Sequence, residues 1–121
     1  MADQIVVRIP ASTSHIALVR ATASALAALL DFTYDRIMDL HIAIDEVCSR
    51  ILTMVPQTSR LQVVFTINES GLNIDASGDK PLEAQAFLNT WSRAVLDSIT
   101  AGLEVFSSNG VTHARFEVPR G

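Results

Sequence analysis

The chain has 121 residues, 49% of them apolar, with a net charge of −4 and one cysteine. That apolar content excludes a disordered chain, and the length suits a single domain, 1–121, with its own core. The acidic balance, with no basic run, argues against a nucleic-acid surface; one cysteine cannot build a disulfide framework; and the longest apolar stretch, 21–30, is too short to span a bilayer.

The start, Met1-Ala2-Asp3-Gln4, lacks the basic segment and apolar run of a secretory leader, so a cytoplasmic setting without membrane attachment is expected. Residues 4–9 are short and β-branched, and Pro10 stops them, which predicts a strand. Ser12, Thr13 and Ser14 offer N-caps for a first helix running to about residue 30, with Ile16, Val19, Ala23, Leu26 and Leu30 at helical spacing. Thr33 is the expected N-cap of a second helix, 33–54, whose apolar stripe is Ile37, Leu40, Ile44, Val47 and Ile51. Asp39, Ala43, Glu46 and Arg50 fall on another face, where chemistry is to be sought.

Residues 61–67 and 72–76 alternate as two strands joined by the turn Asn68-Glu69-Ser70-Gly71. Ser77-Gly78-Asp79-Lys80-Pro81 breaks the pattern. A third helix is predicted over 82–99 with Leu88, Trp91, Val95 and Ile99 inward, ended by Ala101-Gly102. Strands at 103–106 and 111–118 flank an Asn109-Gly110 hairpin signal, and this pair is expected at a sheet edge open to a second chain. The order predicts an α+β, two-layer sandwich with a mixed, largely antiparallel sheet and helices on one face.

His15, His41 and His113 sit on different elements without metal-ligand spacing, so no metal site is expected. Cys48 reads as a small buried residue rather than a nucleophile. No Ser-His-Asp motif stands out. Glu46 and Arg50, one helical turn apart with the acid first, suit an ion pair worth about 0.2–0.5 kcal/mol on an exposed helix.

The segment Leu40-His41-Ile42-Ala43-Ile44-Asp45-Glu46-Val47-Cys48-Ser49-Arg50-Ile51-Leu52 resembles the N-box helix of the GHKL (Bergerat-fold) ATPases. The closer resemblance is to the RsbW/SpoIIAB anti-sigma factors and serine kinases, especially their actinobacterial, UsfX-like branch. The order of elements fits as well, so the resemblance covers most of the chain. It implies a Bergerat-type sandwich and puts Glu46 on the family's catalytic glutamate and Arg50 on its magnesium-binding asparagine. Glu46 could take a proton from a substrate hydroxyl, but Arg50 carries only donors and would repel magnesium.

The family's adenine-reading D-x-G motif aligns with Ala76 and Gly78, and a methyl group accepts no hydrogen bond. Sliding the alignment brings Asp75 or Asp79 near, neither with glycine two residues on. The phosphate loop G-x-G-L corresponds to Phe87-Leu88-Asn89-Thr90-Trp91-Ser92, and no glycine stands between Gly78 and Gly102. The resemblance therefore implies an anti-sigma factor with a degenerate nucleotide site, no assigned catalytic residue (Glu46 being a remnant general base) and no cofactor. Its partners would be a sigma factor, a STAS-type antagonist and a second copy of the chain. The alternatives are an active but atypical ATP- and magnesium-dependent serine kinase, or a degenerate subunit regulating a homologous kinase.

Overall fold

The computed structural model describes residues 3–56, 58–79 and 88–121. Strands β1 (Gln4–Pro10), β2 (Arg60–Ile67), β3 (Gly71–Ser77), β4 (Ala101–Ser108) and β5 (Val111–Pro119) form one sheet in the order β1-β2-β3-β5-β4. Helices α1 (Ile16–Leu29), α2 (Tyr34–Met54) and α3 (Thr90–Ile99) complete the described elements, with a 3-10 turn at Thr13–His15. The fold is α+β, consistent with a Bergerat-like sandwich. Among the described residues all four strand pairings are antiparallel, where the order of elements also allows a mixed sheet.

Strand alternation makes one sheet face apolar. Val63, Phe65, Ile74, Ala76, Ala114, Phe116 and Val118 are buried there and join Leu40, Ala43, Ile44, Val47, Cys48 and Ile51 of α2 in one core with Val19 and Ala23 of α1. Arg8, Gln62, Ser77 and His113 are paired across four strands and point to the other face, on which no helix packs among the described residues. The 111–118 strand is internal, between β3 and β4, so only β4 of the expected pair is an edge.

Caps and turns set the boundaries. Thr33 caps α2 as expected, its Oγ1 accepting from the Arg36 amide at 3.3 Å. Helix α1 has no such cap: the turn at Thr13–His15 precedes it, His15 is the cap residue, and no side-chain cap bond forms. Asn109 and Gly110 both have positive φ (53° and 74°), the requirement of a tight hairpin turn with matching twist. Gly102 also has positive φ (63°), but it serves a register shift between Ala101 and Glu104 in β4 rather than the end of α3.

The third helix departs most from expectation. Residues 82–87 of its predicted span lie outside the described residues, and α3 starts at Thr90. Asn89 Oδ1 accepts from the Ser92 amide at 2.7 Å, which fixes the helical phase. That phase buries Ser92 and Leu96, half-buries Val95 and Ile99, and leaves Trp91 65% exposed instead of inward. Leu88 is buried as expected.

Gly71 has a packing reason for its identity. A Cβ there would stand 2.3 Å from the Val118 carbonyl oxygen. Gly71→Ala is expected to destabilise the fold by about 1–3 kcal/mol, as overpacking against backbone does, read as a lower urea midpoint with an unchanged slope.

Candidate functional site

Helix α2 buries its apolar stripe under the sheet, and the position of that stripe decides where Glu46 and Arg50 stand. Both lie half-buried at the margin of the core. Arg50 Nε donates to Glu46 Oε1 at 3.1 Å, so the pair read from the i,i+4 spacing is formed. Ser92 Oγ, from the first turn of α3, donates to the same oxygen. Ser92 is fully buried, and a buried hydroxyl needs a partner. The Asn89 cap turns it toward α2. Sequence reading placed Ser92 in the loop neighbourhood without assigning it a partner; the available signal was Asn89-x-x-Ser92, a cap residue followed by its amide partner.

The other polar groups of this segment are tied to neighbours too. Arg20 of α1 binds Asp45 through Nη1, at 2.9 and 3.0 Å to the two carboxylate oxygens. His41 Nε2 meets Ser24 Oγ, and Arg36 Nη1 donates to Asp39 at 3.3 Å. Ala43, counted on the chemical face, is fully buried in the core instead. Its small size lets α2 approach its neighbours closely. Nothing in the sequence pairs Arg20 with Asp45, because the contact depends on how α1 and α2 cross.

Ala76 and Gly78 stand at the end of β3. Ala76 is buried. A Cβ on Gly78 would meet Val55 Cγ1 at 3.2 Å and Ile51 Cγ2 at 3.5 Å, so apolar side chains of α2 and the residue after it already pack here. Asp75 points to the opposite face, where it accepts from His113 Nδ1 at 2.7 Å. Asp79 is exposed. Phe87 lies outside the described residues. His15, His41 and His113 remain apart, and among the described residues no three His, Cys, Asp or Glu side chains gather as metal ligands.

A second feature is the outer side of the α1–α2 hairpin. Leu18, Ala21, Ala25 and Leu29 recur along α1, all exposed, and Tyr34, Met38 and Ile42 recur along α2. Leu29 is 80% exposed and Tyr34 74%. Single exposed apolar residues mean little, but a band across two packed helices is a candidate contact surface. No helix among the described residues is long and apolar enough to cross a membrane.

No protein-family model matches the chain. Among curated proteins, the serine-protein kinase RsbW of Bacillus cereus (strain B4264) is 32% identical over 77 residues, 62% of this chain and 48% of that protein. The serine-protein kinases RsbW of Bacillus thuringiensis (strain Al Hakam) and Bacillus anthracis (strain A0248) are each 32% identical over 74 residues, 60% of this chain and 46% of theirs. The chain spans about half the length of the curated relatives it matches. It is distantly similar to the RsbW serine-protein kinases, the relationship that the α2 segment suggested.

Cys48 is buried as expected, and burial, reinforced by the charge of Asp45, pushes its thiol up from 9.0 to about 12. A thiol so held is protonated and shielded, hence unreactive. Ellman's reagent at pH 8 should modify it only as fast as the protein unfolds, and fully in denaturant. The unfolded chain releases this proton near pH 9 and the folded chain near 12, so the stabilising effect is intact below pH 9 and is lost as pH rises from 9 toward 12. Urea titrations above pH 9 should show the native protein losing stability relative to Cys48→Ala, by at most about 1.4 kcal/mol per pH unit.

Proposed function

We propose that this chain acts by binding: it sequesters a bacterial sigma factor on a kinase-like scaffold whose nucleotide site is degenerate. The observation that carries the reading is the Glu46 carboxylate, which takes hydrogen bonds from Arg50 and Ser92 on one oxygen. A substrate hydroxyl or water would have to compete with both for that atom. Magnesium does not fit beside it, because Arg50 offers only N–H donors where the family has an oxygen ligand. Adenine does not fit at Ala76, which is buried and whose methyl group offers no acceptor, and Ile51 and Val55 pack at Gly78 two residues on. Glu46 is then a remnant of a general base, with a structural role between α2 and α3.

The exposed apolar band of the α1–α2 hairpin supports the binding half of the reading. Burying such side chains against a partner removes apolar area from water, the main favourable term in association. Without phosphorylation of a STAS-type antagonist, release of the sigma factor would follow from competing concentrations and affinities. A homodimer, as in the resembling family, belongs to the same proposal. The similarity to proteins named serine-protein kinases, together with the retained Glu46, favours one second reading: an atypical ATP-dependent kinase.

Calorimetry separates the two. Titration with magnesium-ATP should give no binding in the micromolar range, whereas micromolar affinity would refute the degenerate-site reading. Affinity capture from the native cell should return a sigma factor. Recovery of a homologous kinase instead would identify a regulatory subunit. If the helical band is the contact surface, Leu29→Glu combined with Met38→Glu should weaken capture about tenfold or more while leaving the folded spectrum unchanged, as loss of two buried apolar contacts implies.

A further inference from the structure

The face of the sheet opposite the core ends in a cleft of about 470 Å³, bounded by Arg8, Arg60, His113, Ser77, Asp79 and Asn109. It lies across the sheet from the core face that receives α2, and the kinase resemblance assigns it no role. Its volume is in the range of small-molecule sites. Three features give it a chemical preference.

The first is charge. Two arginines against one aspartate leave the lining one unit positive, in a chain whose net charge is −4. A local inversion of sign within a concave wall concentrates anions. The second is preorganisation. Gln62 Oε1 accepts from Arg8 Nε at 3.0 Å and also from Nη2, which fixes the guanidinium plane and leaves Nη1 unused. Asp75 accepts from His113 Nδ1 at 2.7 Å, and the imidazole stacks on Phe106 with ring centroids 5.2 Å apart, so the ring is held with Nε2 available as an acceptor for a ligand hydroxyl. The third is spare capacity. The Arg60 side chain makes no hydrogen bond or ion pair among the described residues, so its whole donor fork is unspent.

The geometry points to a binding site for a small molecule bearing a compact oxyanion, either phosphate or carboxylate. Arg8 and Arg60 clamp the anion, while Ser77, Asn109, Asp79 and His113 Nε2, the acceptor nitrogen of a ring whose Nδ1 donates to Asp75, receive hydroxyl groups of the remainder. Arginine forks match both oxyanions through paired, charge-assisted hydrogen bonds. Asp79 opposes the anion, which gives the site a built-in test of sign.

The test uses the full chain, followed by amide and arginine side-chain resonances in 15N spectra. It is titrated with inorganic phosphate and, separately, with citrate, at ionic strength held constant with sodium chloride. Saturable shifts confined to the Ser77–Asp79 region, the Asn109 turn and the two arginines are expected with at least one probe. Phosphate alone would identify a phosphate ligand, citrate alone a carboxylate, and both a general oxyanion site. Arg60→Gln should weaken binding about tenfold, as loss of a charge-assisted pair does. Asp79→Asn should tighten it. Both positions are exposed, so the fold should survive, and unchanged α1 and α2 resonances verify this. Shifts equal to those given by chloride alone overturn the proposal, as do variants that leave affinity unchanged or move it in the same direction.

Discussion

The stripe Leu40, Ala43, Ile44, Val47 and Ile51 lies fully buried where α2 crosses the sheet, and most other features follow from it. Burial of this stripe fixes the rotation of α2 about its axis. At 3.6 residues per turn, that rotation leaves Glu46 and Arg50 at the margin, half in the core and half out. A carboxylate in such a place needs partners, because desolvation without hydrogen bonds is costly. Arg50 provides one from the same helix and Ser92 a second from α3. The polar cluster is thus a consequence of how the apolar seam sits, and it ties α3 to the rest of the fold.

The same seam explains why the end of β3 is closed. Ile51 belongs to the buried stripe, and it extends with Val55 over Gly78. A side chain larger than hydrogen at position 78 would press on Val55, and Ala76 is buried beside it. On the proposed reading, this apolar packing and Arg50 would act on different parts of a nucleotide, the base and the phosphates with their metal, so that restoring one would leave the other obstructed.

Much of the fold was legible in the sequence because its signals are local. The α2 stripe, the Thr33 cap and the Asn109-Gly110 turn each need only neighbouring residues, and each is found. The Glu46–Arg50 pair was legible for the same reason, since helical geometry alone brings i and i+4 together. A helix over 82–99 puts Trp91 inward on the stripe of Leu88, Val95 and Ile99, whereas the helix starts at Thr90 and the Asn89 cap accompanies a phase with Ser92 inward. Gly102 after an apolar helix suggests a helix end, but its positive φ serves a bulge in the following strand. Arg20–Asp45 and Ser92–Glu46 were not legible at all, because both depend on how separate elements cross.

The two faces of the sheet divide the chemistry. On the helix side, the polar groups of α2 are largely spent on internal partners: Glu46 on Arg50 and Ser92, Asp45 on Arg20, and His41 on Ser24. That side also presents apolar side chains outward, among them Leu29, Tyr34, Met38 and Ile42. On the open side, internal bonds orient Arg8 and His113 without exhausting them, and Arg60 is left unspent. A surface with its polar capacity consumed and its apolar area exposed is suited to another protein, where affinity comes from removing area from water. A surface with oriented, unspent donors is suited to a small charged ligand, where a few directed hydrogen bonds decide. The strand register keeps the two apart, because alternate residues of every strand must face opposite sides of the sheet.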